Sequence, residues 1–320
     1  MLNVLYTVDT ELWPWGWDDS SAGMQAAMDL DIRGHTSKGN YGVQFQIDLL
    51  DQHGLTGVFL VESLFASAKG TELLRQITDP IRAGGHEVQL HLHTEWLDRM
   101  PGVDLVDGHT GQNLADFSEP HQTRLIEVGL ANLQEAGNDL STAFRAGNYG
   151  ADNRTLPALA RNGVKYDTSY NYCHLGGACR MDYEDVLLQP VLIDGVIEVP
   201  VNHFRDRPGG LRHTQLMACS FAEMRAMLLR AHELEWHTFV IVSHSFELIN
   251  RVKRAPDMMV IRRFERLCQF LAENTDRFRV CGFNDLGPDL LVHFADQPEL
   301  KSNALRTLQR VSEQALRRFI

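Results

Sequence analysis

The sequence predicts an α/β protein in which parallel strands close into a βα barrel. Short apolar runs, which are typical of buried strands, alternate with amphipathic stretches of helical spacing. This alternation repeats about seven times, as expected for a parallel sheet with helical crossovers. The chain has 320 residues, a length that suits closure of such a sheet into a barrel.

The individual elements follow from the same patterns. The predicted strands cover residues 2–8, 56–61, 87–93, 141–145, 165–168, 196–199, 238–243 and 277–281. The predicted helices cover residues 43–52, 73–83, 119–135, 156–162, 221–234 and 259–274. Gly84 and Gly85 follow the second of these helices and are a typical stop signal.

The C-terminal end of the chain has a different pattern. Gly287 and Pro288 mark a boundary, so we expect the barrel to occupy residues 1–286 and a helical extension to occupy residues 287–320. We expect its apolar stripe to pack on the barrel or on a second copy of the chain, which would make a homo-oligomer. The stripe consists of Leu305, Leu308, Val311, Ala315, Leu316 and Phe319.

Composition and charge limit the possible partners. The sequence is 44% hydrophobic and 22% charged, as in ordinary soluble globular proteins. Its formal net charge of -12 argues against nucleic acid, because phosphate contact requires clustered Lys and Arg. The same charge argues against an anionic membrane surface. We therefore expect a small molecule or a carbohydrate as the substrate, and neither nucleic acid nor membrane as a partner.

The sequence also favours a cytoplasmic location. Its first residues contain no basic region followed by an apolar run, so we expect no signal peptide. No segment approaches the roughly 18 apolar residues that a transmembrane helix requires. The five cysteines are odd in number and scattered, as expected for reduced thiols. They are Cys173, Cys179, Cys219, Cys268 and Cys281.

Polar residues of a particular kind stand where the predicted strands end. In a βα barrel, catalytic side chains lie at the carboxyl ends of the strands. Most of the residues found there are types that bind metals or act as general acids and bases. They are Asp9, Glu11, His91, His93, Glu95, Arg145 and His244.

The pair His91 and His93 is the first candidate for metal binding. Residues two apart on a strand point to the same face, so both imidazoles can reach one cation. Neutral imidazole nitrogens suit zinc and similar divalent ions. Taken alone, the two histidines could equally be half-buried strand residues. Asp9 and Glu11, which follow the first strand, favour the metal interpretation.

Five motifs together resemble the NodB-homology polysaccharide deacetylase family. They occur in the family's order over residues 1–286: TVDTE at 7–11, GHEVQLHLHTEW at 85–96, FRAGNYG at 144–150, YDTSY at 166–170 and IVSHSFEL at 241–248. The resemblance implies a distorted seven-stranded (β/α) barrel and one divalent metal bound by a carboxylate and two histidines. It also implies deacylation of an amide or an ester.

The resemblance assigns a base and a set of metal ligands. Asp9 matches the general base, and Glu11 stands where divergent Asp-x-Glu members place their metal carboxylate. His91 matches the first metal histidine. The second metal histidine of many members would fall at Glu95, so either His93 or Glu95 takes its place. We favour His93 and expect zinc, because imidazole suits that ion better.

The other motifs imply residues that assist catalysis. Arg145 matches the arginine that holds the base carboxylate. Asn148 and Tyr149 fall in the loop whose backbone N–H contributes to the oxyanion site, although FRAGNYG is not the common Arg-x-Pro-Tyr form. His244 matches the acid that protonates the leaving nitrogen.

Four functions fit these observations. The first is N-deacetylation of an acetamido sugar or glycan, with Trp13, Trp15 and Trp17 as faces for a sugar ring or merely as a cover for the barrel. The second is an amidase for a small substrate such as a ureide or a cyclic amide. The third is an unrelated histidinol-phosphatase-like or amidohydrolase barrel, in which His-x-His usually follows the first strand. The fourth is a non-catalytic carbohydrate-binding barrel.

Overall fold

The computed structural model describes residues 1–14, 20–100, 102–287 and 297–317. The strands are β1 Leu2–Thr10, β2 His35–Thr36, β3 Gly39–Asn40, β4 Gly57–Glu62, β5 Glu87–Leu92, β6 Ala143–Ala146, β7 Tyr166–Asp167, β8 Val191–Ile193, β9 Val196–Glu198, β10 His203–Arg207, β11 Gly210–His213, β12 Thr238–His244, β13 Ile249–Asn250, β14 Ala255–Pro256, β15 Phe278–Val280 and β16 Leu300–Lys301. The α-helices are α1 Ser21–Ala27, α2 Val43–Gln52, α3 Ala66–Lys69, α4 Glu72–Ala83, α5 Glu119–Glu135, α6 Thr155–Arg161, α7 Phe221–Glu233, α8 Met258–Ala272 and α9 Ala304–Arg317.

A curled sheet forms the centre of the molecule. Its strands lie in the order β12-β1-β4-β5-β6-β7-β9-β8, and β15 also pairs with the start of β1. All of these pairs are parallel except β8 with β9. The predicted α/β class and the distorted barrel are thereby confirmed. Among the described residues the sheet has nine strands, whereas the resemblance implied seven.

Strand β12 lies at the end of the strand order and pairs with β1 on one side. Its other side faces segments before β8 and after β9, and we call this boundary the seam. The Asn202 side chain accepts a hydrogen bond from the N–H of Val240 at 2.6 Å, and Gln189 accepts from two N–H groups at the start of β12. Val242 donates its N–H to the carbonyl of Thr214 at 2.9 Å. Buried backbone groups need partners, so side-chain amides and a short segment replace a neighbouring strand here.

The long elements lie where the sequence predicts them. Helices α2 and α5 have the predicted bounds. Ser118 caps α5, and a capping box of Ser220 and Glu223 starts α7. The sequence did not predict the short strands β2, β3, β8, β10, β11, β13, β14 and β16, because two to five residues show too little periodicity.

Helix α9 exposes the apolar stripe that we expected it to bury. Its inner face is charged: the buried Arg310 contacts Asp206 at 2.7 Å and Glu223 at 3.1 Å. These ion pairs fix the rotation of the helix, so the expected packing of the stripe on the barrel is wrong. Contact with a second copy remains a prediction, and Phe319 lies outside the described residues. The exposed side-chain fractions are 78% for Leu305, 64% for Leu308, 47% for Val311 and 57% for Leu316.

Two further observations concern the cysteines and the helices. All five cysteines are free thiols, and four of them are buried. In the described ranges, every helix is too short or too polar to cross a bilayer.

Candidate active site

The predicted residues meet at the carboxyl ends of neighbouring strands. Asp9 in β1 lies in register with His244 at the end of β12. His91 in β5 lies in register with Arg145 in β6. Parallel strands end at one edge of the sheet, so side chains from four strands reach the same place. Asp9, Glu11, His91, His93 and Arg145 are all buried there.

Glu11, His91 and His93 form a group that could hold a metal ion. One donor atom from each residue lies within 4.8 Å of the other two. The Nδ1 of His91 is 2.8 Å from the carbonyl oxygen of Arg145, and the Nδ1 of His93 is 3.2 Å from Glu95. Such acceptors fix the proton on Nδ1 and leave the Nε2 lone pair for an ion.

The charges in this group fit a divalent cation. The Nε2 of His93 lies 2.5 Å from a carboxylate oxygen of Glu11, so the chain alone needs a proton between them. Burial would raise the pKa of Glu11, but the charge and hydrogen bond of His93 outweigh it and lower the pKa to about 2. A divalent ion can replace that proton, and one carboxylate with two imidazoles is a donor set typical of zinc.

Asp9 is held from one side by an arginine. Oδ1 of Asp9 accepts a hydrogen bond from Arg145 at 2.6 Å. The fully buried guanidinium also donates to the Thr7 hydroxyl and to the carbonyl and hydroxyl of Thr168. Oδ2 of Asp9 faces His244, whose Nε2 is 3.9 Å away. Arg145 therefore fixes one carboxylate oxygen of Asp9, while the other faces His244.

His244 is held by a carboxylate that the sequence analysis missed. Glu247 lies 2.9 Å from its Nδ1 and also accepts the N–H of Met217 at 2.5 Å. Burial would lower the pKa of His244, but the hydrogen bond and charge of Glu247, with the charges of Asp9 and Glu11, raise it to about 9. These contacts therefore favour the protonated imidazole. The three-residue spacing between His244 and Glu247 was the available signal.

Glu62, the last residue of β4, is a second carboxylate that the sequence analysis missed. It is fully buried and accepts hydrogen bonds from the N–H groups of Leu64 and His93. Burial raises the pKa of Glu62 to about 8. Glu62 lies at the end of a strand, and the same kind of position identified His91 as a candidate. Glu62 could therefore have been identified from its position alone. Glu62 fixes the backbone at His93.

The loop after β6 is strained and closely packed. Asn148 and Tyr149 have φ values of 56° and 57°, in the left-handed region that few side chains adopt. Gly147 lies so close to His93 that an added Cβ would stand 2.7 Å from its ring. The side chain of Asn148 donates to Glu95 at 2.8 Å. The loop thus packs against His93 and hydrogen bonds to Glu95, and both contacts limit the movement of the two side chains.

Aromatic rings stand around the cluster. Trp13, which is half-buried, has its ring centroid 5.9 Å from that of His93 and 6.3 Å from that of Phe246. The ring of Tyr149 lies 5.2 Å from that of His174. Trp15 and Trp17, the other two rings of the predicted sugar face, lie outside the described residues.

Comparisons with known proteins give a likeness in fold. No family model and no curated protein matches the sequence. Among solved structures, a protein of Mycobacterium smegmatis that was assigned as a polysaccharide deacetylase is 18% identical, with a TM-score of 0.56 over 93% of this chain and 95% of its own. An α-amylase from Thermotoga maritima is 9% identical, with a TM-score of 0.51 over 94% of this chain and 76% of its own.

A family 4 carbohydrate esterase from Streptomyces lividans is 12% identical, with a TM-score of 0.43 over 86% of this chain and 90% of its own. At sequence identities this low, a structural match indicates a shared fold but not a shared activity. The presence of an amylase among the matches shows that the fold alone does not decide the reaction. The resemblance to polysaccharide deacetylases that the five motifs predicted is therefore confirmed at the level of the fold.

Proposed function

We propose that this chain is a metal-dependent hydrolase that removes the acetyl group from the nitrogen of an acetamido sugar or glycan. One observation carries the proposal: a carboxylate held by an arginine and an imidazole held by a carboxylate face each other across 3.9 Å. Both stand beside a group of candidate metal ligands. Amide hydrolysis needs both a base and an acid.

Glu11, His91 and His93 would hold one divalent ion, for which zinc is the first choice. A bound ion of this kind polarises a carbonyl and lowers the pKa of water toward neutrality. Glu95 has its oxygens directed at His93 and Asn148, so we assign it the orientation of His93 rather than direct coordination.

Asp9 would act as the general base. Its Oδ1 is fixed by Arg145, which leaves Oδ2 to take a proton from the attacking water. The several hydrogen bonds of the buried guanidinium keep the carboxylate from rotating. Arg145 is therefore a positioning residue for the base.

His244 would act as the general acid. Glu247 holds its Nδ1 and raises its pKa, which favours the protonated form. Nε2 is then the nitrogen that would donate a proton to the leaving group. An amine leaves poorly as an anion, so proton donation to the nitrogen is needed for the amide bond to break.

The surroundings favour a sugar as the carrier of the acetamido group. The half-buried rings of Trp13 and Tyr149 border the cluster, and aromatic faces pack well on sugar rings. The strained Asn148–Tyr149 peptide is our candidate for the backbone N–H that binds the oxyanion. The free cysteines support a cytoplasmic location.

A small non-sugar amide is the alternative substrate for the same machinery. A screen of metal-loaded protein for amine release from acetamido sugars and from small cyclic amides separates the two. We expect turnover of an acetamido sugar. Turnover restricted to the cyclic amides would contradict the sugar assignment, whereas saturable sugar binding without release of amine or acetate would favour a binding protein.

The role of His244 can be tested by the leaving group. His244→Ala should slow amide cleavage by about 10²–10⁴-fold and should spare an activated aryl ester, whose phenolate departs without a proton. His35→Ala is the matched control, because His35 is exposed and contacts Asn40 outside the cluster. An equal loss on both substrates would make His244 an oxyanion or substrate contact instead.

A further inference from the structure

A cavity lies between α8, α9 and the start of α7, apart from the candidate active site. Its volume is about 450 Å³, within the range of small-molecule pockets. The residues that line it do not include the candidate site residues Asp9, Glu11, His91, His93, Arg145 and His244. Its occupant is therefore not the group that undergoes hydrolysis.

The charges on the cavity wall are strongly positive. Five cations and two carboxylates line it, on a chain whose formal net charge is -12. Both carboxylates are already neutralised, because Asp257 pairs with Arg317 and Glu313 pairs with Arg263 at 2.7 Å. The positive charges that remain attract an anion.

Three cations of the wall are available to a ligand. In the described part of the chain, Lys253, Arg262 and Arg266 form no ion pair. Arg266 stacks on the ring of Phe221, 4.2 Å from its centroid. Stacking on a ring leaves the in-plane N–H groups of a guanidinium free to donate. Arg262 and Arg266 are also one helical turn apart in α8, where like charges repel each other. A bound anion would relieve this repulsion.

Apart from Asn250, the rest of the wall is apolar. It includes the ring of Phe221 and the side chains of Ala255, Pro256, Met258 and Met259. Met258 is 42% exposed, although methionine is usually buried. An inorganic ion would leave these surfaces in contact with water. The wall therefore fits a molecule that has an apolar or aromatic body as well as a negative charge.

From this combination, we infer that the cavity binds a small organic anion, with its phosphate or carboxylate at Lys253, Arg262 and Arg266 and its apolar body against Phe221 and Met258. The inference does not depend on the proposed hydrolase activity. Arg262 and Arg266 are exposed, so substitutions there should leave the fold intact.

Isothermal titration calorimetry with 1-naphthyl phosphate tests this inference. We expect saturable binding at one site, weakened at least 10-fold in the R262Q/R266Q double variant. The matched control is R279Q, which removes an exposed arginine of β15 outside the cavity and should leave the affinity unchanged. A parallel titration with 1-naphthoate shows whether phosphate or carboxylate is the preferred charge.

Inorganic phosphate is the third probe. It should bind at least 10-fold more weakly than 1-naphthyl phosphate, because it lacks the apolar body. Equal affinity for the two would contradict the amphipathic ligand. The inference would be overturned if neither naphthyl compound bound saturably, or if the double variant bound both as well as the wild type.

Discussion

Replacement of Arg145 by methionine should destabilise the protein far more than the loss of an ordinary ion pair. Arg145 is fully buried, and its partner Asp9 is only 4% exposed. Methionine fills much of the space but removes the only cation that is hydrogen bonded to the buried Asp9 carboxylate in the described residues, and His244 stays 3.9 Å away. Loss of such a partner costs about 3–5 kcal/mol in the free energy of unfolding. Arg124→Met is the control: Arg124 and its partner Glu127 are both more than half exposed, so the loss should stay below about 1 kcal/mol.

Urea unfolding in the presence of a chelator measures both effects without a contribution from bound metal. A double-mutant cycle with Asp9→Asn isolates the pair: each single variant leaves one buried charge alone, whereas the double variant leaves none. The double variant should therefore lose about 1–3 kcal/mol less than the two single variants together. Strict additivity, or a loss below about 1 kcal/mol for Arg145→Met, would refute the interpretation of a buried, mutually dependent pair.

Three further predictions concern the ligands, the base and acid stability. His93→Ala should lose the bound metal in elemental analysis while Glu95→Ala retains it, and the reverse result would exchange their roles. Asp9→Asn should keep the metal and abolish turnover, because Asp9 is assigned to proton transfer; loss of metal in this variant would make Asp9 a ligand. Burial lowers the pKa of His213 from 6.5 to about 4, so the unfolded chain takes up a proton first as the pH falls. The free energy of unfolding therefore falls by up to about 3 kcal/mol between pH 6.5 and 4. The fall should be smaller in His213→Phe, and equal pH dependence of the free energy of unfolding in the two proteins would contradict this.

The sequence was most informative where a pattern is long or tied to a strand end. The bounds of α5 follow from its 17 residues of helical spacing and from Ser118 at its start. Asp9 and His244 could be predicted because each ends an apolar run, and parallel strands end at one edge. Glu247 was missed because it lies beyond β12, in a turn whose path the strand pattern does not determine.

The orientation of α9 shows the limit of patterns within one segment. Its leucines predict a helix correctly, but they do not determine which face turns inward. That choice depends on Asp206 and Glu223, which are about 100 and 90 residues away in the chain and meet Arg310 only in the folded protein. Turning that face outward would separate Arg310 from the two carboxylates and leave buried charges unpaired, and a sequence window around α9 contains neither partner.

The seam beside β12 has a consequence for how the barrel fluctuates. Strand β1 is hydrogen bonded to strands on both sides, whereas the outer edge of β12 relies on Asn202, Gln189 and the segment around Thr214. A side-chain amide can release its partner by one rotamer change, while a ladder of two strands must separate as a unit. Breathing of the barrel should therefore begin at β12, with faster amide hydrogen exchange at Val240 than in β1. The proposed proton donor, His244, then lies on the strand that opens more readily, and the proposed base, Asp9, lies on its better paired neighbour.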